Sequence, residues 1–171
     1  LNILSNKHCF HWDLEFPSIY WRETRIGFDI IIGNPPFLGG KKISTELGDD
    51  SLNYIKKTFY PAINTADYCS YFFRQGYFLA KQGGRLGFIA TNTISEGDSR
   101  ETGLAVLLRD GAKIIFADRY VKWPGEATVE VNLITIAKPP FHNSFGISKP
   151  LLDGNETPFI SSWLDDFVEV K

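Results

Sequence analysis

Apolar positions along this chain fall into short unbroken runs separated by stretches of helical length, and their order predicts the fold class. Phe28 to Ile32 is a short apolar run enriched in β-branched residues, which predicts a strand buried on both faces, hence parallel and central. From Ala66 the segment ADYCSYFFRQGYFLAK has Asn64 or Thr65 before it as a cap and Gly83-Gly84 after it as a stop, so it predicts a helix. Its aromatics Tyr68, Tyr71, Phe72, Phe73, Tyr77 and Phe78 cover most of the circumference, which requires burial on several sides. Arg85 to Thr91 predicts the next strand. Asp98, followed three residues later by Glu101, resembles a capping box opening a helix through Leu104, Val106, Leu107 and Leu108 that ends at Gly111. Lys113 to Asp118 predicts a third strand and Val129 to Ala137 a fourth. The last connection is shorter than the dozen or so residues of a parallel crossover, so the fourth strand is expected to run antiparallel.

Strand, helix, strand, helix, strand, strand describes an α/β sheet, mostly parallel, with helices on its faces. Residues 1–24, with Trp12, Phe16, Tyr20 and Trp21, have no clear period and read as a lead-in packing on the core. Leu38 to Asn53 is rich in glycine and charge and reads as a mobile loop. Residues 25–138 hold the periodic elements, and 139–171 turn rich in Pro, Gly, Ser and Asn with five acids against two lysines, which reads as a linker or the start of another domain. No internal repeat is visible.

With 171 residues, 43% of them apolar, the chain can bury a core of ordinary single-domain size. A net charge of −2 supplies no overall basic field, so any nucleic-acid contact must be local. Cys9 and Cys69 form no disulfide framework and no secretion signal opens the chain, which makes the cytoplasm the expected compartment. No apolar run is long enough to span a membrane. The absence of any methionine suggests a segment of a longer protein. His8-Cys9-Phe10-His11 offers possible metal ligands but no evident fourth, so no metal is expected.

The stretch IIIGNPPF carries the most specific chemistry. In open α/β sheets the ligand crevice lies beyond the carboxyl ends of the strands, where Asn34 is expected. Pro35 and Pro36 fix φ, offer no N–H, and keep the residue before each of them extended, so the carbonyls point outward. The Asn34 side-chain oxygen and the Pro35 carbonyl are then two acceptors on a stiff frame, suited to an NH₂ group, and Phe37 supplies a flat face on which a ring bearing that amine can stack.

FDIIIGNPPF resembles motif IV, [DNS]-P-P-[YFW], of the amino-methyltransferases that use S-adenosylmethionine. ADYCSYFF, GGRLGFIATNT and KWPGEATVEVNLITI resemble, in that order, the remaining catalytic-half segments of the gamma-class adenine-N6 DNA methyltransferases. FHWDLEFPSIY is similar to the segment preceding motif IV in restriction–modification methylases, especially the type IIG kind that fuse endonuclease and methylase. The resemblance implies a partial Rossmann-like methyltransferase fold and methylation of a flipped-out adenine in double-stranded DNA. It also implies catalytic roles for Asn34, Pro35, Pro36 and Phe37, and a second stacking face from Trp123. Asp67 and Phe72 are implied to line the site, while Lys41 and Lys42 are candidates for a phosphate contact.

The sequence departs from that pattern in one half. The glycine-rich strand-to-helix turn that holds the cofactor is not seen: Gly83-Gly84 follows a helix and precedes a strand, the reverse of the order a nucleotide cradle needs. The cofactor half, a nuclease and a target-recognition region are expected elsewhere in the same polypeptide, and the fragment alone is expected to be inactive. Asp13-x-Glu15 lacks the lysine a nuclease motif would add. Two alternatives stay open: the same frame suits a protein glutamine amide or another amino group, and the chain could be an assembly module whose first strand is an edge seeking a cofactor-bearing partner.

Overall fold

The computed structural model describes residues 10–20, 27–123, 129–141 and 149–167. Two short helices, α1 (Trp12–Glu15) and α2 (Pro17–Tyr20), precede the first strand, β1 (Phe28–Gly33). Phe10, Trp12, Phe16 and Tyr20 gather around Phe28, with Phe16 and Phe28 crossing edge to face at 5.2 Å between ring centroids. The segment expected to pack on the core instead packs on Phe28 at the start of β1, outside the main core; Trp21 lies outside the described residues.

After β1 come α3 (Gly40–Leu47), α4 (Asp49–Thr58) and α5 (Tyr68–Leu79), which together carry the chain back to β2 (Ala80–Thr91), parallel to β1. A 3₁₀ turn over Asn92–Ser95, then α6 (Gly97–Thr102) and α7 (Leu104–Arg109), lead to β3 (Lys113–Lys122). β4 (Glu130–Ala137) returns antiparallel and inserts between β2 and β3, pairing with both. Two short strands, β5 (Leu151–Leu152) and β6 (Asn155–Glu156), extend the sheet beyond β3. The order is β1-β2-β4-β3-β5-β6, and β1, β2, β3 and β5 share one direction, so the sheet is α/β and mostly parallel in strand direction.

The main core lies between this sheet and α5, α6 and α7. Phe73 of α5 and Phe88 of β2 meet edge to face at 5.2 Å, and Leu86, Leu104, Ile114, Ile134 and Ile136 close around them with exposures of 1% or less. Truncating a phenylalanine so placed typically costs about 3–5 kcal/mol. The helix comes this near only because position 76 is glycine: a Cβ there would stand 2.9 Å from two ring carbons of Phe88. A second, smaller cluster of Ile43, Ile55, Ala66 and Tyr71 joins α3 and α4 to the outer face of α5.

Several sequence expectations change. β1 is parallel but not central: among the described residues it is an edge, with Ile30 57% and Ile32 83% exposed, while Ile31 faces the core. A continuous apolar run specifies a strand without saying which neighbours cover its second face. The loop expected over Leu38–Asn53 is mostly helix: Leu52 and Ile55, three apart on one face of α4, turn inward together with Ile43 of α3. Asp98 is not a cap. The first helical residue is Gly97, Glu96 holds the cap position without a side-chain bond, and the Asp98 carboxylate instead accepts a hydrogen bond from the Thr65 hydroxyl. Gly103 then separates α6 from α7.

The helix expected from Ala66 begins at Tyr68, and Gly83-Gly84 lies inside β2 instead of between helix and strand. Residues 149–167, which read as linker or new domain, continue the sheet and place Leu152, Ile160 and Leu164 in the main core. Their high content of turn formers describes tight reversals, such as Asp153-Gly154, in a segment that is nevertheless packed.

Candidate active site

The carboxyl ends of β1, β2 and β3 open on one edge of the sheet, and the strand-to-helix connection NPPFLGG occupies that edge between β1 and α3. The ladder to β2 ends at the Gly33–Phe88 pair, so Asn34 is the first residue free of it. Pro35 is buried and anchors the turn, whereas Asn34 and Pro36 are exposed and Phe37 is 41% exposed. The frame thus holds one proline inside and presents an amide and an aromatic ring outside. Leu38 returns its carbonyl to the structure, accepting from the Tyr68 N–H at 2.9 Å.

Asp67 is the hub behind this turn. One carboxylate oxygen accepts from the Gly40 N–H at 3.2 Å, and the other accepts from the hydroxyls of Thr91, at 3.4 Å, and Thr93. The Asp67 N–H donates to Ser99 Oγ at 2.9 Å. One residue therefore ties the start of α3 to the ends of β2 and α6. Gly40 has to be glycine here, since a Cβ would collide with the backbone of Thr65 and Ala66. Asp67 holds the cap position of α5 but makes no side-chain bond to that helix. Burial first and the charge of Asp67 second push the neighbouring Cys69 thiol up to about 11.

Phe72 sits on α5, half-buried against the main core and edge to face with Tyr68 at 5.1 Å. Lys41 and Lys42 are exposed on the first turn of α3, a few residues beyond Phe37. Trp123 follows β3, half-buried, and its N–H donates to the Val129 carbonyl at 3.0 Å, closing the β3–β4 connection. The rest of the WPGEA segment, residues 124–128, lies outside the described residues, as do His8 and Cys9. Two strands separate β1 from β3, so Phe37 and Trp123 stem from backbones three strand spacings, about 14 Å, apart on the same edge.

Sequence reasoning passed over Thr91, Asn92, Thr93 and Ser99. All four sit where β2 gives way to α6, and Asn92 buries its amide oxygen without a hydrogen-bond partner. The signal available was TNT directly after an apolar strand. Among the described residues, no three His, Cys, Asp or Glu side chains are grouped as metal ligands, and no helix is long and apolar enough to cross a membrane.

The Eco57I restriction-modification methylase family matches residues 1–112, which include β1, the NPPF turn, Asp67 and β2. The chain belongs to that family. Within the Eco57I family the NPPF turn thus falls inside the matched region, whereas Trp123 falls beyond it. A DNA methyltransferase A of Bacillus subtilis (strain 168) is 30% identical over 110 residues, covering 62% of this chain and 12% of that protein. The solved type IIL restriction-modification enzyme MmeI, in complex with DNA, superposes with a TM-score of 0.63 at 24% identity, over 82% of this chain and 20% of its own. The fold is therefore that of a restriction-modification methylase, and the chain spans a small fraction of the length of both relatives.

Proposed function

We propose that the protein of which this chain is a part methylates adenine N6 in double-stranded DNA with S-adenosylmethionine, as the modification activity of a type IIG-like restriction–modification enzyme. The observation that carries the reading is the Asn34-Pro35-Pro36-Phe37 turn at the carboxyl edge of a methylase-family sheet, with Asn34 and Phe37 exposed together beyond the last ladder pair.

The chemistry of the turn follows from what it presents. An exocyclic amine is a poor nucleophile because its lone pair is delocalised into the ring. Two acceptors, the Asn34 side-chain oxygen and the Pro35 carbonyl, draw on its two hydrogens and favour a pyramidal nitrogen. They also stabilise the positive charge that grows there during attack, a preorganised electrostatic effect. Pro35, buried, keeps the pair in place, and Asp67 holds the helix that follows. A duplex base must be extruded to reach this edge, at a cost of a few kcal/mol, and stacking on an aromatic face returns about 1–3 kcal/mol per base. Phe37 supplies one face and Trp123, across the sheet edge, the other. Lys41 and Lys42, exposed on the first turn of α3, are assigned the contact with backbone phosphate in this reading.

S-adenosylmethionine supplies an already activated methyl group, so no metal or covalent intermediate is called for. Gly40 and Gly84 are not free to cradle it: Gly40 is bonded to Asp67, and a Cβ at Gly84 would meet the carbonyl oxygens of Lys81 at 2.8 Å and Phe28 at 2.9 Å inside the sheet. Holding the donor is assigned to other parts of the polypeptide, and this chain's part is to hold and polarise the amine.

The test is to incubate the intact protein with labelled methyl donor and duplex DNA, then digest both DNA and protein. Label recovered as N6-methyladenine is the expected result. Label in a glutamine side chain, or on cytosine or guanine, contradicts the substrate assignment.

A further inference from the structure

β3 ends at the same sheet edge as Asn34, and near that end its ladder with β4 is interrupted between Asp118 and Val121. Tyr120, inside the interruption, has a φ of 55°, the left-handed backbone that glycine adopts freely and a bulky side chain adopts only under strain. Val121 and Thr91 pair with Val131 from opposite sides of β4. Tyr120 therefore stands nearly level with the end of β2, two strand spacings or about 10 Å across the edge.

Two side chains hold this bulge. Arg119 and Tyr120 fall outside the ladder pairs, and the N–H of each donates to a side-chain oxygen instead. Tyr120 donates to Asn132 Oδ1 at 3.1 Å, and Asn132 is 2% exposed. Arg119 donates to Asp153 Oδ1 at 2.9 Å, while its guanidinium grips the other oxygen of that carboxylate from Nε at 2.9 Å and Nη2 at 2.6 Å. Asp153 is itself fixed. With Gly154 it makes the turn between β5 and β6, both residues left-handed at φ 48° and 80°, and its N–H donates to the Ala117 carbonyl at 2.9 Å. A buried amide on one side and a docked hairpin on the other thus over-determine the conformation of Tyr120.

A backbone held this way has no need of a side chain, since glycine would take it at lower cost, yet a tyrosine occupies it, 58% exposed at the edge. Bulges re-aim side chains, and strain maintained by the surrounding bonds marks a position where the aim matters. A duplex whose extruded base reaches Asn34 extends over β3, three strand spacings from β1. An aromatic ring fixed there offers a face on which any base can stack. We propose that Tyr120 is a DNA-contacting residue, its ring stacking on a nucleotide that flanks the extruded base, and that the bulge serves to aim it. The proposal rests on the DNA reading above and adds a contact separate from those of Phe37 and Trp123.

Filter retention of duplex DNA and labelled-methyl transfer, both with the intact protein and unmethylated phage DNA, test it. Tyr120→Gly keeps the backbone and removes the ring. Its affinity for the duplex should fall about tenfold, with KM rising to match, kcat within about twofold of the parent, and Tm equal to or above the parent's. Tyr120→Phe should bind like the parent. If Tyr120→Gly melts lower, Tyr120→Asn, which also tolerates a left-handed backbone, decides by the same loss. Parental affinity in the deciding variant overturns the proposal. So does a Tyr120→Phe variant as weak as Tyr120→Gly, which would place the contact at the hydroxyl. Label found elsewhere than on adenine, with binding still dependent on Tyr120, contradicts the methylation reading and leaves the Tyr120 contact standing. A parent that retains no duplex overturns that contact.

Discussion

Asp67 illustrates how a residue acts through its neighbours. Both its oxygens are committed, to Gly40 and to the threonines at the end of β2, so what it positions is the start of α3 behind the NPPF turn. The sequence alone left a lining role and a helix-start charge equally open, because the partners of the Asp67 carboxylate lie 24 to 27 residues away. Cys69, the second residue of α5, carries a testable consequence. Its thiol, 1% exposed and pushed up to about 11, stays protonated at pH 8. Alkylation mapped to the Cys69 peptide should therefore be slow in the folded protein and rapid in denaturant. Fast native modification at pH 8 would contradict the packing described for α5.

At the scale of elements, the helical pair α3 and α4 depends on one arginine. Arg74 of α5 sends its guanidinium to the carbonyls of Phe59, Tyr60 and Pro61, at 2.9 Å for Tyr60 and 2.7 Å for Pro61, closing the turn that follows α4. Burial draws its pKa down from the ordinary arginine value, yet it stays charged. Arg74 reaches these carbonyls from two separate guanidinium nitrogens, which the single ammonium nitrogen of a lysine cannot span, so Arg74→Lys is expected to destabilise the protein nearly as much as Arg74→Ala. The loss should be about 2 kcal/mol, or about 4–8 °C in Tm, by calorimetry or circular dichroism. A lysine variant melting with the parent would show that charge alone suffices. None of this was legible in the sequence, where Gly39-Gly40 and the charged residues after it looked like loop. What was legible were the elements whose pattern is strong on its own terms. The aromatic band that became α5, the apolar strands β2 to β4 and the antiparallel return of β4 all follow from period and connection length. Cap chemistry was less readable, since Asp98 satisfies the cap pattern but is claimed by Thr65, 33 residues away.

On the scale of the whole molecule, the sheet carries α5, α6 and α7 on the face of Ile31, Leu86 and Ile134. The other face is apolar and exposed at β1, where Ile30 and Ile32 lie open at an unpaired edge of the described sheet. An edge of that kind pairs with whatever strand is offered. These 171 residues, expressed alone, are expected to self-associate with rising concentration, and Ile32→Lys to suppress this without lowering Tm, as read by light scattering. A monomer at all concentrations would mean the edge is protected. The sequence reported β1 as apolar but could not report its position, because hydrophobic patterning does not say which strands lie beside it. The candidate site was more legible than its surroundings. The two prolines of NPPF restrict the backbone locally, so the exposure of Asn34 and Phe37 at the strand end follows from chain chemistry, whereas the Thr91, Thr93 and Ser99 network depends on tertiary contacts.

The most direct test of the central claim, that Asn34 and the Pro35 carbonyl hold the reacting amine, is single-turnover methyl transfer to duplex DNA by the intact protein and its Asn34 variants. Because Asn34 is exposed beyond the last ladder pair, Asn34→Ala should fold and melt like the parent while transfer slows by about 10²-fold or more, and Asn34→Asp, which keeps an acceptor, should retain measurable transfer. Near-parental rates in Asn34→Ala would contradict it.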